Sequence, residues 1–171
     1  MKRIITVLIT LQASLFTLHF CNAQWQWQNP LPQGNTLVSV CFVDANNGWA
    51  AGAGKFSGNT LIHTTDGGLT WQAQEVPTSH SLYDIFFTDV MNGWAVGDQS
   101  IILRTTDGGN TWNKYSLTSR LPSELTSVCF VDSLTGWAVG WAAVINDGPA
   151  IKHTVDGGIT WDIQDYPSIF L

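Results

Sequence analysis

Three aspartates carry the most regular chemical pattern in the chain. Asp66, Asp107 and Asp156 stand in Thr64-Thr65-Asp66-Gly67-Gly68-Leu69-Thr70-Trp71, Thr105-Thr106-Asp107-Gly108-Gly109-Asn110-Thr111-Trp112 and Thr154-Val155-Asp156-Gly157-Gly158-Ile159-Thr160-Trp161. A carboxylate beside two glycines can bind a cation, move a proton, or tie backbone N–H groups into a tight turn. A calcium loop needs alternating carboxylates along one segment, and each octet supplies one. A catalytic carboxylate pair is a single arrangement about one bond, whereas these aspartates recur. The octet therefore reads as a turn in which Asp accepts N–H bonds and the second glycine takes positive φ. Its structural residues are Thr64, Asp66, Gly68, Thr70 and Trp71. Their counterparts are Thr105, Asp107, Gly109, Thr111 and Trp112, then Thr154, Asp156, Gly158, Thr160 and Trp161.

The remaining reactive groups form no stronger constellation. Asp44, Asp89 and Asp132 also recur, each after an apolar run. Among the acids outside these repeats, Asp98, Glu124, Asp147 and Asp165 are the candidates for a glycan-cleaving hydrolase. Gly54-Lys55 fails as a phosphate loop, because Trp49 stands where the first glycine belongs and Phe56 follows the lysine. His63, His80 and His153 lack metal-ligand spacing. The expectation is a chain that is not an enzyme, with no catalytic residue, no metal and no cofactor. Cys41 and Cys129 share one sequence context, which predicts two free, buried thiols in equivalent core positions.

These turns must be held by strands. A second element precedes each octet: Asn47-Gly48-Trp49-Ala50-Ala51-Gly52, Asn92-Gly93-Trp94-Ala95-Val96-Gly97 and Thr135-Gly136-Trp137-Ala138-Val139-Gly140. Before each of these lies a Val/Phe-rich run. Every repeat thus resolves into four strands, the signature of a propeller blade. In the first, strand four is expected to begin with Thr70 and Trp71. The fold expected is all-β, with β-propeller-type repeats in three four-stranded blades spanning 37–76, 82–117 and 125–166. An outer strand and link over 24–36 precede them, since Trp25-Gln26-Trp27-Gln28 is similar to Trp71-Gln72-Ala73-Gln74. Propellers typically have about 4–8 blades, so three make an incomplete ring or open arc. Closing it needs self-association or further blades.

Blade topology puts the Asp octets on one face and the strand two–three loops on the other. From Gly52 to Thr64 is 12 positions, from Gly97 to Thr105 is 8, and from Gly140 to Thr154 is 14. The longer first and third loops point to a ligand face carrying Phe56, Trp141, Asn146 and Asp147. Lys2-Arg3, the apolar run Ile4 to Phe20 and Cys21-Asn22-Ala23 read as a signal peptide over 1–23, cut near Ala23. The remaining chain would be secreted, periplasmic or at the cell surface. Net charge is −6, and losing Lys2 and Arg3 makes it −8. Such a surface disfavours nucleic acid and anionic membrane as partners.

The octets resemble the Asp-box, or bacterial neuraminidase repeat, and with the Gly-Trp-Ala-x-Gly element they look most like the photosystem II stability/assembly factor-like propeller family, in its secreted bacterial type. The resemblance implies a propeller scaffold that binds a protein. Photosynthetic members receive their client on a basic patch, and after the signal only Arg104 and Arg120 remain as arginines. Sialidases share the Asp box but need an arginine triad, which two arginines cannot build. The function expected is a secreted, non-catalytic binding or scaffold module for protein or glycan. A glycan-cleaving hydrolase and a photosystem II assembly factor are the alternatives.

Overall fold

The computed structural model describes residues 35–54, 58–116, 123–142 and 149–164. The signal peptide expected over 1–23, residues 24–34 of the expected outer strand and link, and Phe56, Arg120, Asn146, Asp147 and Asp165 lie outside them. Among the described residues there are three antiparallel four-stranded sheets, each built from consecutive strands. Blade 1 holds β1 (Thr36–Phe42), β2 (Gly48–Ala53), β3 (Asn59–Thr64) and β4 (Gln72–Ala73). Blade 2 holds β5 (Leu82–Phe87), β6 (Gly93–Gly97), β7 (Ile101–Thr105) and β8 (Asn113–Ser116). Blade 3 holds β9 (Ser123–Phe130), β10 (Gly136–Ala142), β11 (Pro149–Thr154) and β12 (Asp162–Ile163). The arrangement is an open arc of propeller blades, with a single 3-10 turn at Asp98–Ser100 as the helical element described.

The Asp octet closes the strand three–four turn. Asp66 Oδ1 accepts the Thr64 hydroxyl at 2.8 Å and the Thr70 N–H at 2.8 Å, while Oδ2 accepts the Thr70 hydroxyl at 2.6 Å. Thr64 Oγ1 in turn accepts the Gly68 N–H at 2.9 Å. Gly67 and Gly68 have φ of 71° and 88°, a region that disfavours side chains. The same contacts recur at Asp107 and Asp156. Because the carboxylate claims both the N–H and the hydroxyl of Thr70, that residue and Trp71 stay in the turn. The fourth strand starts at Gln72, later than the sequence suggests. Each octet is also tied to its blade's first hairpin, Gly67 N–H donating to the Asn46 carbonyl at 2.9 Å. Asp44 closes that hairpin by accepting the N–H groups of Asn46 and Asn47.

The repeated Gly-Trp dipeptide makes the junctions between blades. Trp49 lies between His63 of its own blade, 4.5 Å away, and Phe87 of the next, 3.6 Å away and nearly parallel. Its indole N–H donates to the Gly108 carbonyl at 3.1 Å. Trp94 repeats this on Phe130 at 3.6 Å and on the Gly157 carbonyl at 2.7 Å. Each Phe lies flat over the glycine preceding the Trp of its own blade, and a Cβ at Gly93 or Gly136 would collide with the ring. The octet Trp closes the pocket edge-on, Trp112 against Phe87 at 5.9 Å and Trp161 against Phe130 at 5.9 Å.

Two buried clusters fill these junctions. Trp49, Ala51 and Leu61 meet Leu82, Ile85, Phe87, Ala95 and Leu103, while Trp94, Val96 and Ile102 meet Leu125, Val128, Phe130 and Ala138. Asp84 adds a polar link across all three blades. Its Oδ1 accepts the Ser39 hydroxyl at 2.6 Å, and its Oδ2 accepts the Ser127 hydroxyl at 3.0 Å and the Val128 N–H at 2.8 Å.

Both thiols are free as expected, but neither is buried: Cys41 is half-buried and Cys129 is exposed. The equivalence is real, since Cys41 packs into the first junction and Phe86 into the second. Cys129 is exposed because it occupies that position on the side of blade 3 against which no described blade packs.

Phe87→Ala removes the ring on which Trp49 rests and leaves a cavity in the first junction. Unfolding free energy is expected to fall by about 3–5 kcal/mol, read from urea denaturation. A pH effect follows from the octets. Hydrogen bonds from the Thr70 side chain and N–H, then from Thr64, hold the Asp66 carboxyl down at about 2. At Asp156 desolvation pushes upward, but the hydrogen bonds from Thr160, Thr154 and Ile159 outweigh it and bring the carboxyl to about 2. An unfolded aspartate titrates near 3.9, so this stabilisation is present above roughly pH 4 and is lost as pH falls toward 2. The urea midpoint should hold from pH 7 to 5 and drop below it, with a shallower drop in Asp66→Asn.

Candidate functional site

In every blade the junction of strands two and three lies at the strand ends opposite the octet. In blade 2 this connection is the 3-10 turn Asp98–Ser100, and both Gln99 and Ser100 have a φ of 57°. Two consecutive non-glycine residues in the left-handed region store strain of about 1–2 kcal/mol each. The Asp98 N–H donates to the Ser81 carbonyl at 3.0 Å, and Asp98 Oδ1 accepts the Gln99 N–H at 2.8 Å. Asp98 also pairs with His80 Nδ1 at 3.7 Å. The acid singled out as a hydrolase candidate thus spends its oxygens on holding a strained turn and an imidazole.

Beside this turn lies a residue that sequence reasoning passed over. Tyr83 is the extra residue where β5 slips register against β6, between Leu82 and Asp84. Desolvation raises its phenol above the ordinary value, and the nearby charges of Glu124 and Asp98 add to the rise. Glu124 is opposite Trp141 in the β9–β10 ladder, and Pro149 faces Trp141 from β11. Trp141 is 72% exposed. An indole in water at the end of a blade, with a carboxylate across the strand and a tyrosine and two more polar groups on the neighbouring blade, makes an acidic, aromatic surface. It can stack on apolar or cationic side chains. Of the four residues expected on this face, Trp141 is the one described, and its side chain is exposed. The bulge recurs at Val38 and Thr126 in the other two blades, and only blade 2 places a tyrosine there.

Two of the described cations are set into a blade junction. Arg104 pairs across the ladder with Trp94, and its guanidinium lies against Gly157 of blade 3. Its Nε is buried without a hydrogen-bond partner among the described residues. Lys152 is 3% exposed at the counterpart of Leu103, and burial pushes its ammonium pKa down. Both cations belong to the blade 2–blade 3 junction. Among the described residues no three His, Cys, Asp or Glu side chains are grouped as a metal site.

Residues 19–165 match the family described as Photosynthesis system II assembly factor YCF48. The chain is similar to the chloroplastic photosystem II stability/assembly factor HCF136 of Arabidopsis thaliana, at 26% identity over 146 residues, covering 80% of this chain and 34% of that protein. It is 30% identical over 144 residues to the photosystem II assembly protein Ycf48 of a Synechococcus strain, covering 82% and 40%. Among solved structures it resembles "YCF48 bound to D1 peptide", with a TM-score of 0.65, 30% identity, and coverage of 79% of this chain and 41% of that one. YCF48 from Cyanidioschyzon merolae gives a TM-score of 0.63 at 26% identity, covering 78% and 41%. The chain therefore spans about a third to two fifths of the length of these relatives.

The Tyr83 environment is testable by itself. Glu124→Gln with Asp98→Asn should lower the phenol's titration toward the ordinary value of about 10, leaving the part due to desolvation. Ultraviolet difference titration against Tyr83→Phe reads it, and an unchanged midpoint would separate Tyr83 from both acids.

Proposed function

We propose that this chain, which belongs to the photosystem II assembly factor YCF48 family, is a non-catalytic binding module that holds a segment of a client protein. The observation that carries the reading is its likeness to a relative solved with a peptide, which extends over 79% of this chain. That supports a protein client over a glycan. The binding surface proposed is the loop face carrying Trp141 and Tyr83, where an exposed indole supplies apolar area and Glu124 and Asp98 supply negative charge. With a net charge of −6, and with Arg104 and Lys152 placed in a blade junction, the client segment proposed is neutral or basic. The export expected from residues 1–23 belongs to the same reading, with the client met outside the cytoplasm. The mass of the N-terminal peptide in protein recovered from the cell exterior tests that part.

Fluorescence anisotropy with short labelled peptides tests the binding. A lysine-containing extended peptide with apolar side chains should bind, and an acidic one of equal length should not. Trp141→Ala should weaken binding about tenfold or more, the ~1.4 kcal/mol expected of one aromatic anchor, with thermal unfolding unchanged. Undiminished binding by that variant would move the site elsewhere. Failure of any peptide to bind would remove the client reading.

A further inference from the structure

Among the described residues the blade junction is present twice, and its two halves are present once more, unpartnered, on the outer sides of blades 1 and 3. Trp137 is the counterpart of Trp49 and Trp94. It stacks on His153 at 4.8 Å with a tilt of 26°, where Trp49 lies within 6° of His63. Among the described residues no ring covers its other side and no acceptor meets its indole N–H. Phe42 is the counterpart of Phe87 and Phe130. Its ring lies over Gly48 and meets Trp71 edge-on at 6.0 Å, and it is 44% exposed, against 4% for Phe87 and for Phe130. The Gly67 carbonyl corresponds to those of Gly108 and Gly157, which accept the indoles of Trp49 and Trp94.

The surfaces around these groups match as well. A groove of about 370 Å³ on the outer side of blade 1 is lined by Leu37, Val40, Ala50, Ile62 and Trp71, among others. Their counterparts in blade 2 are Leu82, Ile85, Ala95, Leu103 and Trp112, all buried against Trp49, Ala51 and Leu61. At the other end of the arc Trp137, Val139 and Ile151 hold the positions of Trp49, Ala51 and Leu61, with the same cross-strand pairing. Val40 is 63% exposed, and Val139 is 39% exposed. Exposed apolar surface of this kind marks an interaction site, and here the internal junctions specify the shape that fits it.

The geometry points to a second copy of this chain as the occupant. The Trp137 side of blade 3 in each copy packs on the Phe42 side of blade 1 in the other. Trp137 then stacks on the partner's Phe42 and donates to the partner's Gly67 carbonyl. Two arcs joined this way around a two-fold axis bring six of the described blades into one ring, inside the range of about 4–8 in which propellers close. The contact covers Cys129 as the first junction covers one side of Cys41.

Light scattering and sedimentation of the full chain at micromolar concentration should give a dimer. Phe42→Asp and Trp137→Ala should each raise the dissociation constant about a hundredfold or more. Neither side chain lies between two blades of its own chain, so circular dichroism and the main unfolding transition of the separated monomers should persist. Mixing the two variants rejoins one intact Trp137–Phe42 pair, and heterodimers should reappear. Maleimide labelling of Cys129, located by peptide mapping, should be slow in the wild type and fast in both variants. Larger assemblies that both substitutions disperse would support the same head-to-tail contact. A monomer with fast Cys129 labelling overturns the proposal. So does a monomer whose blade 1 face is covered by residues 24–34, or a dimer indifferent to both substitutions.

Discussion

The structure depends on a phenylalanine ring held between a glycine and a tryptophan. Phe87 lies flat on Gly93 of its own blade, receives Trp49 of the preceding blade on its other side, and is closed at the edge by Trp112. Every part of the repeat contributes to that stack. The glycine leaves room for the ring. The octet places its tryptophan at the edge, and its glycine carbonyl anchors the incoming indole. The stack converts a blade, which has two apolar faces, into a unit that is stable only beside another blade. Aromatic pairs in such arrangements add about 0.5–1.5 kcal/mol beyond the area they bury, and each junction holds several.

Much of this was legible in the residues. The octets and the Gly-Trp-Ala-x-Gly elements recur, and recurrence announces blades. Thr70 and Trp71 were misplaced by one structural state because alternation of side chains does not reveal a carboxylate gripping the next threonine. The thiols show where repeat logic runs short. Sequence equivalence correctly put Cys41 and Cys129 at one blade position, but burial there depends on the neighbouring blade, which the position itself does not encode. Asp84 and Tyr83 were passed over for the opposite reason. Each departs from the repeat, Asp84 standing where blades 1 and 3 carry Ser39 and Ser127. Recurrence marks what the blades share, and such residues carry no recurrence to mark them.

The division of labour between the two faces has a physical basis. On the octet face, every turn is saturated with internal hydrogen bonds, and each octet is also bonded to its blade's first hairpin. Little donor or acceptor capacity remains for a ligand. On the opposite face the connections differ in length, and one of them stores strain at Gln99 and Ser100. Variation there costs the fold little, because the strands are already fixed from the other end. The same separation explains why the positive charges of Arg104 and Lys152 are of no use to a ligand: they lie within the stack of blades and not on its loops.

Asp84 joins one blade to both of its neighbours. In a linear array whose stability is a sum of unit and nearest-neighbour terms, that places blade 2 at the centre of a gradient. In a separated arc, blades 1 and 3 each have one described junction and one hold on the carboxylate, so they open first, independently and in either order. The amides of β6 and β7 exchange with solvent only when the whole array comes apart. The arc thus behaves as a spine with two hinged ends, its most persistent order lying farthest from the faces that meet a partner.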